Sequence, residues 1–140
     1  LIAACADVST DKNPLKKVKF LVEAGANINY LGSHHASALN EALTLDNLDV
    51  VLYLLENGAN YEQKFIRVDA NGNVSDTNIL YRLRLHFYDL GTEEYQYKMK
   101  IVEFLKKLGL NYWKQPFDSM WLDRVQHLHP TDWETYLKSY

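Results

Sequence analysis

The residues of this 140-residue chain whose types and spacing could perform chemistry are its histidines, its one cysteine and a polar loop segment. His127 and His129 are separated by one residue and could supply two metal ligands. No cysteine or carboxylate set completes this pair at metal-site spacing, because Asp123 and Asp132 are only loosely placed. The pattern favours a surface loop between two helices, ending at Pro130, over a metal site.

Asp69, Asn71 and Asn73 alternate like the first ligands of a calcium-binding loop. That loop requires glycine at its sixth position and glutamate at its twelfth, whereas here Gly72 is the fourth residue and the twelfth is leucine. Asn71 followed by Gly72 between two valines is typical of a type I′ hairpin turn. The segment is therefore predicted to form a lengthened β-finger.

Nucleophilic catalysis has little support in the sequence. Cys5 falls at a small-residue position of a predicted packed helix, so we expect a buried, unreactive thiol. Ser9, Ser33 and Ser119 lie in no nucleophile motif, and the six glycines are too scattered for a phosphate-binding loop. We therefore predict that the chain is not an enzyme and uses no catalytic residue, cofactor or metal.

Composition narrows the class of protein. Apolar residues make up 47% of the chain and charged residues 24%, as in folded chains and unlike disordered ones. The net charge is −3 and neither half has a basic excess, which argues against nucleic-acid binding. The apolar run 50–55 is far shorter than the ~18 residues of a membrane span. A single cysteine excludes an internal disulfide and favours an intracellular, cytoplasmic location.

Three segments share a pattern of valine, an aromatic residue, leucine, glycine and asparagine; they are 18–29, 51–62 and 102–113. Gly25 and Gly58 are 33 residues apart, and Gly58 and Gly109 are 51 apart, 18 more than the first interval. In the second segment, valines and leucines at helical spacing form one apolar stripe. Each glycine follows the last turn, where a left-handed residue commonly caps a helix. The sequence therefore predicts three helices with equivalent ends.

A shorter helix precedes each of these helices. In the second unit the shorter helix is predicted over 37–43, and Asp46 or Asn47 is expected to cap the next helix. In the third unit, Thr92 is expected to cap a long helix that continues to Leu108. Each unit is therefore predicted to be helix, tight turn, helix and outward loop.

This pattern resembles the ankyrin repeat family. Residues 37–43 occupy the family's Thr-Pro-Leu-His-x-Ala-Ala segment, and residues 47–51 and 54–60 match its second half. The 33-residue spacing is the family period. The chain departs from the family at Ala38, where proline is usual, and at Asn40, where a histidine usually ties neighbouring loops together.

The resemblance implies an all-α fold, an α-solenoid of stacked helix-turn-helix repeats with β-hairpin finger loops. We expect one domain over 1–140: repeat 1 at about 1–29, repeat 2 at about 30–62, extended repeat 3 at about 63–113, and a partial C-terminal capping repeat at about 114–140. The chain begins inside a unit and without methionine, so a fragment or a truncated end is expected. The aromatic-rich last unit could be a cap or a docking site for a second chain.

The function implied by the resemblance is binding of a partner protein through finger loops and the concave face of the stack. The family's contact positions map onto these candidates: Leu31, Ser33, His34, Ala36, Asn40, Thr44, Arg67, Asp69, Asn71, Asn73, Arg82 and His86. The long finger is either functional or the product of neutral loop drift, because loop insertions cost little. The alternative function is a non-catalytic array that positions another domain of a larger enzyme or host-directed effector. A secreted bacterial effector and a eukaryotic scaffold fit the sequence equally well.

Overall fold

The computed structural model describes residues 1–5, 13–33, 36–68, 71–117 and 119–140 of the chain. Helices make up 56% of the residues that the structure describes, and the remaining regular structure within those residues is one two-stranded antiparallel sheet. The elements in chain order are α1 Ile2–Cys5, α2 Pro14–Glu23, α3 Ala38–Thr44, α4 Leu48–Glu56, β1 Phe65–Val68, β2 Val74–Thr77, α5 Ile79–Arg84, α6 Glu93–Lys107, a 3₁₀ turn Tyr112–Lys114, α7 Ser119–Leu128 and α8 Trp133–Ser139.

Four helices begin at a side chain that satisfies a free backbone amide of the first turn. Asn13, Ser37, Asn78 and Thr92 each accept a hydrogen bond from the amide three residues later, at 2.9, 3.0, 2.8 and 3.3 Å. The predicted start of the long helix at Thr92 is thereby confirmed. Asn47 lies at the N-cap position of α4, but its side chain makes no capping hydrogen bond. Its side-chain Nδ2 donates instead to the Cys5 carbonyl at 3.0 Å.

Three helices end at glycines with the left-handed backbone that the repeated sequence pattern predicts. Gly25, Gly58 and Gly109 have φ values of 86°, 88° and 90°. After α4, the amides of Gly58 and Ala59 donate to Leu55 and Leu54, which closes a Schellman cap. The same pair of bonds follows α2 and α6. The three helix ends are therefore equivalent in geometry as well as in sequence.

The first six helices pack around one apolar core. Helix α1 packs on α2 and α3, α3 packs on α4, and α4 lies between α2 and α6. The stripe predicted for α4 is buried, with Val50, Val51 and Leu54 at 0% exposure. Cys5 is buried as well, and burial raises the pKa of its thiol to about 11, so the thiol stays protonated near neutral pH.

The predicted hairpin is confirmed, but its turn is not of type I′. Val68 pairs with Val74, and Phe65 pairs with Thr77. This register leaves five residues, 69–73, between the strands, whereas a type I′ hairpin loop has two. Gly72 has a φ of 81°, and among the described residues Asp46 is the non-glycine residue with positive φ. The loop is therefore longer than the two-residue turn that the Asn71-Gly72 pair predicts.

The C-terminal helices form a second cluster of buried residues, separate from the main core. Val125, Tyr136 and Tyr140 are buried there, and Phe87 and Tyr95 of the preceding part of the chain pack against them. The two helices expected on either side of Pro130 are present as α7 and α8. Aromatic rings therefore attach this segment to the rest of the molecule.

Candidate interaction surface

The hairpin has one face toward the core and one toward solvent. Adjacent strand residues point to opposite faces, so Phe65 and Ile66 lie on different sides. Phe65 is 1% exposed, whereas Ile66 is 49% exposed and Val74, on the same face, is 68% exposed. The sequence pattern predicts the turn of this finger but does not identify Ile66 or Val74 as contact residues. Their alternation with the buried Phe65 was the signal that could have identified them.

A groove of about 470 Å³ lies at the base of the hairpin. Its walls come from the hairpin, from the start of α5 at Asn78 and Tyr81, and from Gln115 beyond the 3₁₀ turn. On the hairpin side, the Lys64 ammonium and the Asp76 carboxylate form an exposed ion pair at 3.0 Å. The groove therefore has polar edges beside the apolar outer face of the hairpin.

Two of the predicted contact residues, 38 positions apart in sequence, are brought together. The Nη2 of Arg82 on α5 donates to the Oγ1 of Thr44 at the end of α3, at 2.8 Å. Nearby, the guanidinium of Arg67 lies 5.4 Å from the ring centroid of Tyr81. Hairpin, α3 and α5 are thereby linked through side chains that remain partly accessible.

The other predicted contact residues differ in accessibility. Leu31 is 52% exposed and Ser33 is exposed, whereas Ala36 and Asn40 are half-buried. Asn71 and Asn73 are exposed at the finger turn. His34 and Asp69 lie outside the described residues.

His86 is largely withdrawn from the surface, because its side chain is only 13% exposed. Its Nδ1 contacts the Asp46 carboxylate in the turn between α3 and α4, and the Tyr88 hydroxyl donates to the same carboxylate at 2.8 Å. Burial lowers the pKa of His86, and Asp46 opposes that effect. The residue thus contributes more to joining two loops than to an open contact surface.

Two buried basic side chains were missed in the sequence. Lys98 on α6 is 0% exposed, and burial lowers its pKa to about 6. Arg84 is 4% exposed, with its guanidinium 4.0 Å from the Tyr112 ring centroid and 4.3 Å from that of Phe117. Lys98 lies on the same buried face of α6 as Ile101, Val102 and Leu105. A lysine at an apolar position of this helical pattern is the sequence feature that could have indicated its burial.

The two C-terminal histidines do not lie together on a surface loop as predicted. His127 is an exposed residue of α7. His129 stacks on Tyr136, with ring centroids 4.0 Å apart, and its Nδ1 is 3.6 Å from the Asp132 carboxylate. The reason is that α7 continues to Leu128, which places the two imidazoles in different environments.

Comparison with known proteins gives no further assignment: no protein-family model, no curated protein and no solved structure matches the chain. Within the described residues, no three His, Cys, Asp or Glu side chains are arranged to hold a metal ion. This includes the pocket of about 220 Å³ beside Asp46, Asp49, Glu93 and Glu94. None of the helices in the described ranges has the length and apolar character needed to cross a membrane.

Proposed function

We propose that the chain is a protein-binding module of the ankyrin type, which contacts its partner through the hairpin finger and the adjoining faces of α3 and α5. The finger carries Ile66 and Val74 on its outer face, beside the Asp76 carboxylate that pairs with Lys64, and the two helices carry Thr44 and Arg82. In this proposal the remaining helices act as a scaffold that holds these contacts in place. The chain performs no reaction of its own.

The equivalent loops after α2 and α4 support the repeat part of this proposal. Asn27 and Asn60 each accept a hydrogen bond from the amide two residues later, at 2.9 and 3.0 Å. The side chain of Asn29 then joins the loops, donating to the Gly58 carbonyl at 3.0 Å and accepting from the Asn60 amide at 2.7 Å. A side chain that ties one loop to the next is what a stacked array requires, because each repeat contacts only its neighbours.

The observation that carries the binding part is the apolar outer face of the hairpin. Two β-branched side chains, Ile66 and Val74, are 49% and 68% exposed on a short two-stranded sheet. Apolar surface at the tip of a projecting element gains free energy when a partner covers it, at ~25 cal/mol per Å². The rigid Phe65 anchor in the core fixes the direction of this face.

The test is a double substitution, Ile66→Lys with Val74→Lys, in the intact chain. Both side chains point to solvent, so we expect the melting temperature to change by less than about 2 °C. Partner capture, quantified by mass spectrometry against the parent protein, should fall at least about tenfold, corresponding to ~1.4 kcal/mol.

The matched control places two lysines on exposed, uncharged positions away from the finger, Phe20→Lys on α2 and Gln96→Lys on α6, which changes the net charge by the same amount. This control should retain the captured partner. Equal loss of the partner in both double variants would show a general charge effect, and undiminished capture by the finger variant would place the interface elsewhere.

A further inference from the structure

The segment 119–140, named here the strap, consists of α7, α8 and Tyr140. Its own buried cluster is distinct from the main core, and the strap contacts the rest of the chain both through Trp121 of α7, whose ring centroid lies 5.4 Å from that of Phe87, and through the end of α8. The Tyr95 hydroxyl donates to the Ser139 carbonyl at 2.7 Å, and the Tyr112 hydroxyl donates to the Tyr140 carbonyl at 2.8 Å. A unit with a separate small core can open without unfolding the rest of the protein.

The last residue of the strap covers the amine of Lys98. The Tyr140 ring centroid lies 3.5 Å from the Lys98 Nζ, and the Tyr140 side chain is 0% exposed. The Tyr140 hydroxyl donates to the His86 carbonyl and accepts from the Tyr88 amide. Lys98 donates to the same His86 carbonyl at 3.0 Å. Strap, loop and buried lysine therefore meet at one carbonyl group.

The surroundings of Lys98 contain two tyrosine rings and the Arg84 guanidinium. Among the described residues no carboxylate pairs with its Nζ, and Arg84 on α5 is the charged group that acts on it most directly. The Tyr112 ring, 5.3 Å away, forms another wall. Aromatic rings attract an ammonium group, but this attraction offsets only part of the cost of removing the charge from water.

Other titratable groups lie near the same loop and on the strap. Asp46 and Arg82 act on His86 from the α3–α4 turn and from α5. On the strap itself, His129 stacks on Tyr136 and pairs with Asp132. Two further acidic groups lie near the docked tyrosines. The negative charge of Asp89 contributes to raising the pKa of Tyr136, and that of Glu94 contributes to raising the pKa of Tyr88.

We propose that the strap is a pH-responsive cover, closed over the uncharged amine of Lys98 near neutral pH and opened in mild acid when that amine gains a proton. When the strap opens, water reaches the ammonium group and Phe87 and Tyr95 become exposed. The docked state disfavours the proton that the open state accepts, because burial holds the Lys98 pKa below its ordinary value. Docking therefore weakens as the pH falls, which is the sign required by linkage.

The strap contains Trp121 and Trp133, so acrylamide quenching of tryptophan fluorescence in the full chain reports its state. Between about pH 8 and about pH 5 the quenching constant should rise about twofold, while the far-UV circular dichroism of the main helices is retained. Loss of the circular dichroism signal over the same pH range, or no change in quenching, would overturn the proposal.

Matched variants identify the titrating group. Lys98→Met should abolish the acid-induced rise, whereas Lys100→Met, at an exposed position two residues further along the same helix, should leave it intact. A rise that persists in Lys98→Met but disappears in His86→Gln or His129→Gln would assign it to a histidine and refute the role of the lysine.

A second variant keeps the test decisive if Lys98→Met does not fold. Tyr140→Phe removes the hydroxyl that contacts His86 and Tyr88 but keeps the ring. Weaker docking should move the quenching midpoint to higher pH, by about one unit. An unchanged midpoint would mean that Tyr140 does not close the strap.

Discussion

At the scale of single residues, covering by other elements decides what a side chain does. Cys5 is an ordinary thiol that burial keeps protonated, and Lys98 is an ordinary lysine that burial deprives of water. Leu54 and Leu31 have the same chemistry, yet one is 0% and the other 52% exposed. The same residue type therefore stabilises the core at one position and is available for contact at the other.

Leu54→Ala should lower the free energy of unfolding by ~2–5 kcal/mol, because it leaves a cavity in a fully buried part of α4. Urea unfolding followed by circular dichroism measures the change. Leu31→Ala is the control and should cost less than about 0.5 kcal/mol. A cost below ~1 kcal/mol for Leu54→Ala would contradict its place in the core.

At the scale of elements, local sequence specifies where a helix begins and ends better than it specifies which other helices it packs against. The Thr92 side chain caps the start of α6 by accepting a hydrogen bond from a first-turn amide. The negative charges of Glu93 and Glu94 in the first turn interact favourably with the helix dipole. The glycine after α4 ends that helix for a similarly local reason. These ends were predictable because capping involves residues within a few positions of each other.

Gly58→Ala isolates the energetic contribution of one helix end. No atom lies within 4 Å of the Cβ that alanine would add, so the cost comes from the φ of 88° alone. We expect a loss of ~1–2 kcal/mol in the free energy of unfolding. Glu56→Ala, at the last helical position of α4, should stay within about 0.5 kcal/mol. Equal effects of the two substitutions would mean that the left-handed cap does not limit stability.

At the scale of the whole molecule, the chain combines a main core built from α1 to α6 with a smaller aromatic cluster at the C-terminal end. The loop after α5 joins them, since His86 and Tyr88 contact Asp46 on one side and Tyr140 on the other. Polar contacts between distant segments therefore add to the aromatic packing that joins the two clusters.

The stability of the whole molecule should depend on pH through Lys98. Its pKa falls from 10.5 to about 6 on folding, so between these values the unfolded state binds more protons and stability rises with pH. The slope from one such group is at most about 1.4 kcal/mol per pH unit.

Urea unfolding at several pH values between about 6.5 and 7.5, below the range in which tyrosines and the thiol of an unfolded chain ionise, measures this slope. Lys98→Met should show a clearly smaller slope than the parent protein, and Lys100→Met should keep the parent slope. Parallel curves for the parent protein and Lys98→Met would exclude a buried, deprotonated lysine.

The sequence by itself determined the local features of this protein. Helix periodicity, capping residues, the three glycine ends and the Asn71-Gly72 hairpin depend on neighbours within a few positions, so they could be inferred before any contact was known. The sequence predicts the candidate surface only in part. It indicates Thr44 and Arg82 as separate contact positions, but it does not show that they are joined by a hydrogen bond.

Only the tertiary structure decided which side chains are covered. Ile66 and Phe65 are both apolar neighbours, and the direction of the hairpin relative to the core places one outside and one inside. His86 became a buried junction and Lys98 an enclosed amine because segments up to 54 residues apart meet there. Burial and long-range hydrogen bonding are set by how the elements pack, which local sequence patterns do not specify.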